Sequence, residues 1–344
     1  MADILEFSPC TKKNNIEEKL ILAVKIGDLK KINIYLQCKS NINYKDSSGK
    51  TSLIWATIQN YHDIVKLLLG HNASTEISDN MGKTPLIWAA ELGCLDIVRE
   101  LLLKKSIIDR RDQDSMSALS WASLNGNVDV MNILIENGSN INLIDRDGAT
   151  PLMHACWSGN LKGVELLVER NVNINKTDHS KQTAIFRATY KNNFEITQFL
   201  LMNGADLDIM DINGWNVFIW GLIQENYFIT DLFLDYGFNI NRVLKKSIPI
   251  LIFFVKESNY SVLEYLLKKD INVDISDSRN KTGLMYAAEA GDINIVKLLL
   301  KHKASPFKSD KHGNTPFLYS IQNNHMKVSN LIHQEVLNLR KNSL

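Results

Sequence analysis

Aspartate recurs in this chain at a fixed step. Asp46, Asp79, Asp112, Asp145, Asp178 and Asp211 stand 33 residues apart, and after a missed beat at Leu244 the step lands on Asp277 and Asp310. A period of this length constrains the fold more than any local propensity. Each copy must be one small supersecondary unit that buries its apolar face only against its neighbours. The register never slips between Asp46 and Asp310. One step back from Asp46 is Lys13, and "EKLILAVKIGDLKKINIYLQ" fits as a worn first copy. The frame gives ten repeats, starting near residues 13, 46, 79, 112, 145, 178, 211, 244, 277 and 310.

The third repeat shows how one copy reads. Asp79-Asn80-Met81-Gly82 is turn chemistry. Thr84 is placed to cap a helix whose first residue is Pro85, where the missing N–H costs nothing. Leu86, Ala89 and Ala90 form its buried stripe, with Ala suited to close helix approach. Gly93 ends the helix in a left-handed cap. Gly27, Asn60, Gly126, Gly159, Asn192, Gly291 and Asn324 occupy the same place, all of them types that tolerate that conformation. Ile97, Val98, Leu101 and Leu102 then recur at helical spacing in a second helix.

"TPLIWAAELG" and "DIVRELL" after Thr84, "TPLMHACWSGN" at Thr150 and "TGLMYAAEAGDINIVKLLL" at Thr282 resemble the ankyrin-repeat family. The resemblance covers residues 13–344 and implies an all-α solenoid of stacked helix-turn-helix units joined by hairpin loops. It also implies a non-catalytic module that binds a partner protein through a concave groove, lined by the first helices, and through the loop tips. One departure runs through the chain. The family's His two residues after the Pro is replaced by Ile54, Ile87, Ser120, Met153, Phe186, Ile219, Ile252, Met285 and Leu318. The loss of its hydrogen bonds implies looser loops.

Composition narrows the functional classes. With 39 basic and 38 acidic residues the formal net charge is +1, which gives no reason to expect nucleic acid as a partner. "NVFIWGLI" from Asn216 and "SIPILIFFV" from Ser247 are the most apolar stretches. Both fall short of the ~20 residues that a membrane span needs, and both sit where first helices belong, so membrane insertion is not expected. Cys10, Cys38, Cys94 and Cys156 are far apart and read as reduced thiols. With no signal-peptide pattern at the start, the expectation is a cytoplasmic monomer, with the nucleus or a host cytosol as other addresses. Residues 1–12 are expected to be disordered.

No catalytic constellation emerges. The eight histidines show no metal-ligand spacing, and phosphate-loop and nucleophile-elbow motifs are absent. No stretch of 50 residues lies outside the repeats, so neither enzyme activity nor a cofactor is expected. An adaptor that recruits substrates to an enzyme complex such as a ubiquitin ligase, or a secreted effector of an intracellular bacterium, remains an alternative use of the same module.

The contact candidates follow from helix geometry. Residue 88 lies roughly 200° around the helix from Leu86 at 100° per residue, turned from the core toward the groove. The same position holds Leu22, Trp55, Trp88, Trp121, His154, Arg187, Trp220, Phe253, Tyr286 and Tyr319. Four of the six tryptophans are here, and Trp, Tyr and Arg dominate interface energetics. Trp55, Trp88, Trp121, His154, Arg187 and Trp220 are therefore candidate contact residues, with sealing of the seam between repeats as the plainer alternative. Trp215, just after the turn Gly214 in "DINGWNVF", reads as an exposed loop tryptophan and joins the candidates. Repeats seven and eight (211–276) are the degenerate pair. Asn216 and Pro249 replace the capping Thr, Gly221 and Phe254 replace Ala, and Glu225 and Ser258 replace the turn Gly, each followed by an Asn able to take over the turn.

Overall fold

The computed structural model describes residues 15–38, 40–242 and 248–341. The segment 1–12 and the loop from Leu244 to Ser247 lie outside the described residues. Among the described residues, twenty α-helices follow one another in pairs, from Ile16–Ile26 and Leu29–Gln37 to Pro316–Gln322 and Met326–Lys341. Single bridges pair Arg111 with Ser117 and Ser276 with Thr282, each at the base of a hairpin. The chain forms two compact bodies, the first ending at Ala205 and the second beginning at Asp206. Within each, first helices stack on first helices and second on second.

Local chemistry sets each pair. In the third repeat Thr84 Oγ1 accepts the N–H of Ile87 at 3.3 Å, and Pro85 opens the helix Pro85–Glu91. Leu86, Ile87, Ala89 and Ala90 are fully buried, and the second helix Leu95–Leu103 buries Ile97, Val98 and Leu101. Ser117, Thr150, Asn216, Thr282 and Thr315 cap their helices in the same way. Pro249 offers no side-chain cap.

The turns depart from expectation in the degenerate pair. Gly93, Gly126 and Gly159 take positive φ as anticipated, as do Asn60 and Asn192. In repeats seven and eight the positive φ stays on Glu225 and Ser258, both at 53°, and does not pass to the following Asn. Asn226 and Asn259 are needed elsewhere. Their side chains cap the next helix by accepting the N–H of Ile229 at 3.3 Å and of Val262 at 3.1 Å. Phe254, in a position that other repeats give to Ala, is accommodated inside the second body at 2% exposure.

Other details follow the polarity of the ends. Lys30, Lys31 and His333 are exposed, and His333 lies 5.9 Å from the Phe317 ring. Cys94 and Cys156 are free and buried.

A non-glycine residue held in the left-handed region carries a steric cost that Gly avoids. Ser258→Gly is therefore expected to raise stability by about 1 kcal/mol. Gly82→Ala should lower it, because a Cβ there would lie 2.9 Å from the backbone N of Gln113 at a φ of +81°. Urea unfolding of the two variants checks both signs.

Candidate functional site

Each hairpin that carries the periodic aspartate is organised around it. Asp79 Oδ1 accepts the backbone N–H of Met81 at 2.9 Å and of Lys83 at 3.0 Å, closing the turn. Its other oxygen accepts the indole N–H of Trp88 at 3.0 Å. The carboxylate is fully buried and has Lys50 Nζ at 3.6 Å. A buried charge must be paired or hydrogen-bonded; here every hydrogen bond comes from its own hairpin or the helix after it, and the paired cation comes from the preceding hairpin.

The same latch recurs nine residues on in chain after chain position. In the first body Trp55 donates to Asp46 at 2.8 Å, Trp121 to Asp112 at 2.8 Å and Arg187 to Asp178 at 2.6 Å, while His154 Nε2 lies 3.0 Å from Asp145. In the second, Trp220 donates to Asp211 at 3.1 Å, Tyr286 to Asp277 and Tyr319 to Asp310, both at 2.7 Å. Trp, His, Arg and Tyr share one property at this position: an N–H or O–H at the end of a long side chain. The eighth repeat has Leu244 in place of Asp and Phe253 in place of the donor, and the first has Lys13 and Leu22. Acceptor and donor are missing together.

Neighbouring hairpins are also tied to each other. Asn80, Gln113, Arg146 and His179 donate their backbone N–H to Ser48, Met81, Asp114 and Asp147 of the preceding hairpin at 2.9–3.1 Å. The loops are thus held by other bonds than the His bonds the family pattern would supply.

Between successive latch residues lies the residue four after the aspartate. Lys83 Nζ sits 4.7 Å from the Trp88 ring centroid and 3.5 Å from that of Trp121, with Glu91 at 2.5 Å. Lys281 repeats this between Tyr286 and Tyr319, at 4.3 and 4.0 Å, with Glu289 at 2.5 Å. Lys50 lies 5.5 Å from both Trp55 and Trp88. Each ammonium gains from the ring faces on either side. Trp215 fills the equivalent place in the seventh repeat. It is half-buried, not exposed as its loop position suggests, because its ring packs edge-on to Trp220 at 6.2 Å and to Phe253 at 6.1 Å.

The expected groove residues Trp55, Trp88, Trp121, His154, Arg187 and Trp220 are thus half-buried, each with its polar atom turned back to its own hairpin. Sequence reasoning passed over a second aromatic row, three residues further along the first helices. Trp157 is 37% exposed and Tyr190 51%. Trp157 and Tyr190 stack at 5.4 Å with planes 14° apart, and Lys191 Nζ stands 3.9 Å from the Trp157 ring centroid. Their signal was present: Trp157 and Tyr190 stand one repeat apart on the same helical face.

Among the described residues, no group of three or more His, Cys, Asp or Glu could hold a metal ion, and no helix is long and apolar enough to cross a membrane. A family model described as ankyrin repeats in three copies matches residues 20–112, 100–178 and 251–342, and a second, of many copies, matches 158–201. The chain belongs to the ankyrin-repeat family. Ankyrin repeats are protein–protein interaction modules, typically without catalysis of their own. The matches bracket residues 202–250, where this chain's ankyrin pattern is most altered. No curated protein matches the sequence.

Removing one donor from a buried carboxylate leaves a charge-assisted bond unmade. Trp88→Phe keeps the ring and should destabilise by about 1.5–3 kcal/mol, whereas Trp157→Phe, on the surface, should stay within about 0.5 kcal/mol. Equal effects in urea unfolding would refute the latch. The carboxylates also report it by titration. Burial alone would raise the Asp46 pKa, but hydrogen bonds from Ser48, Trp55 and the hairpin N–H groups outweigh it and hold Asp46 at about 2. Asp310 is held at about 2 by Tyr319 and its own hairpin against the same opposing effect. A depressed folded pKa means stability present above the ordinary carboxylate range and lost as pH falls from about 4 toward 2. Trp55→Phe should move the Asp46 titration upward in carboxyl NMR, with Asp310 unmoved.

Proposed function

We propose that the chain binds a partner protein along the exposed face of its first helices, with the hairpin tips as flanking contacts. The observation that carries this reading is the exposed, stacked pair Trp157 and Tyr190. Large apolar side chains exposed together mark interaction surfaces, and aromatic anchors supply most interface energy. The latch residues Trp55, Trp88, Trp121, His154 and Arg187 line the same side in the first body. Trp220 and Trp215 are their counterparts in the second. Their rings remain half-open to a partner while their polar atoms serve the hairpins. In this reading the latch row provides a rigid floor and the exposed row provides the anchors. Preorganised anchors lose little entropy on binding, which raises affinity.

The two rows separate experimentally once a partner is captured by proximity labelling. Trp157→Ala and Tyr190→Ala are expected to weaken its binding by about thirtyfold, the effect of losing ~2 kcal/mol at an interface anchor. Melting temperature should stay nearly unchanged. Trp88→Ala should lower melting temperature first. Full affinity in folded Trp157→Ala and Tyr190→Ala would rule out this face as the binding surface.

A further inference from the structure

In four repeats the position four residues after the hairpin aspartate carries a long side chain between two aromatic residues of neighbouring first helices. Lys50 and Lys83 occupy it in the first body, Lys281 and Trp215 in the second. In the fifth repeat the residue is Ala149, whose side chain ends at Cβ. The flanking latch residues change at the same place, from the indoles of the earlier repeats to His154 and Arg187. A hollow of about 230 Å³ opens there, with Leu124, Met153 and the face of Trp157 among its walls.

The character of the missing filler can be read from its surroundings. At Lys50, Lys83 and Lys281 two rings flank one cation. Here a cation, Arg187, and an imidazole flank an empty place, so the complementary filler is a ring. The charges already present are matched: Arg187 Nη2 donates to Asp178 at 2.6 Å, and His154 lies 3.0 Å from Asp145. An incoming ammonium would face Arg187, and an incoming carboxylate would face Asp145 and Asp147. A neutral ring meets neither penalty and gains a cation–π contact with the guanidinium, which already lies 5.9 Å from the Trp157 centroid. Asp147 is exposed at the mouth and can accept one hydrogen bond.

We infer that this hollow is a socket for an aromatic side chain of a protein partner, a Trp or Tyr whose N–H or O–H reaches Asp147. The inference rests on the reading of the chain as a protein-binding module, and it adds where the partner's anchor enters and what the anchor is. Arg187 needs no rearrangement for the socket to be occupied, since Asp178 already holds it.

The test uses the full chain with methyl-labelled Met and Leu. N-acetyl-tryptophanamide and N-acetyl-tyrosinamide should shift the Met153 and Leu124 methyl signals, with affinity about tenfold above that of the corresponding Lys and Glu amides, the size a desolvated cation–π contact supplies. Ala149→Lys restores the filler of the second and third repeats, and Ala149→Gln the residue found at Gln182. Both should fold with unchanged melting temperature and lose the shifts. Equal binding of all four amides, or shifts that persist in both folded variants, would overturn the socket. A displayed random-peptide library selected on the same chain separates this from the broader reading. Enriched peptides that carry Trp or Tyr and lose binding to Ala149→Lys support the socket. Enriched peptides that bind both chains equally overturn the socket and leave the protein-binding reading standing. No shifts and no enriched peptides would overturn both.

Discussion

A carboxylate taken out of water must find donors, and in this chain that requirement joins the two halves of every well-formed repeat. The hairpin aspartate closes its own turn with one oxygen and holds the following helix with the other. Asp79 does this with Met81, Lys83 and Trp88 at 2.9–3.0 Å. The consequence is a hairpin set at a fixed angle to its helix, without any contact from the family's usual histidine. Because adjacent hairpins also share backbone hydrogen bonds, such as Gln113 N–H to Met81 O at 3.0 Å, one repeat's geometry passes to the next. Stacks of this kind owe their stability to such nearest-neighbour terms.

The latch frees one further position for variation. Lysine there is compatible with rings on both sides and with Glu91 or Glu289 as a counter-ion. Tryptophan there, at Trp215, packs with Trp220 and Phe253 where the eighth repeat has neither carboxylate nor donor. Alanine there leaves a hollow. The chain thus changes the surface between its first helices while keeping the hairpin frame. That is the arrangement expected of a scaffold whose specificity lies in side chains and not in backbone.

Much of the fold was legible in the period. Thr84, Pro85 and Gly93 announce the helix ends, and the structure places all three in those roles. The latch was equally present as a pairing at nine residues, since Asp46 meets Trp55 and Asp178 meets Arg187. It was missed because Trp88 was read by helical angle alone. That angle gives the direction of Cβ but not the reach of the indole N–H back to the hairpin. The turn roles of Glu225 and Ser258 were obscured by propensity, which favours the neighbouring Asn. Those Asn residues were already committed to capping Ile229 and Val262. The exposed pair Trp157 and Tyr190 was hidden by attention to the first aromatic row. Only the stacking of neighbouring helices shows that the second row is the one left in solvent.

Hydrogen exchange at the indole N–H groups tests the latch most directly, because it observes the bond itself in the intact protein. The four tryptophans that face an aspartate are Trp55, Trp88, Trp121 and Trp220. Their indole protons should exchange much more slowly in NMR than that of Trp157, which is 37% exposed and packs through its ring faces. Exchange of these four at the rate of Trp157 would contradict the account.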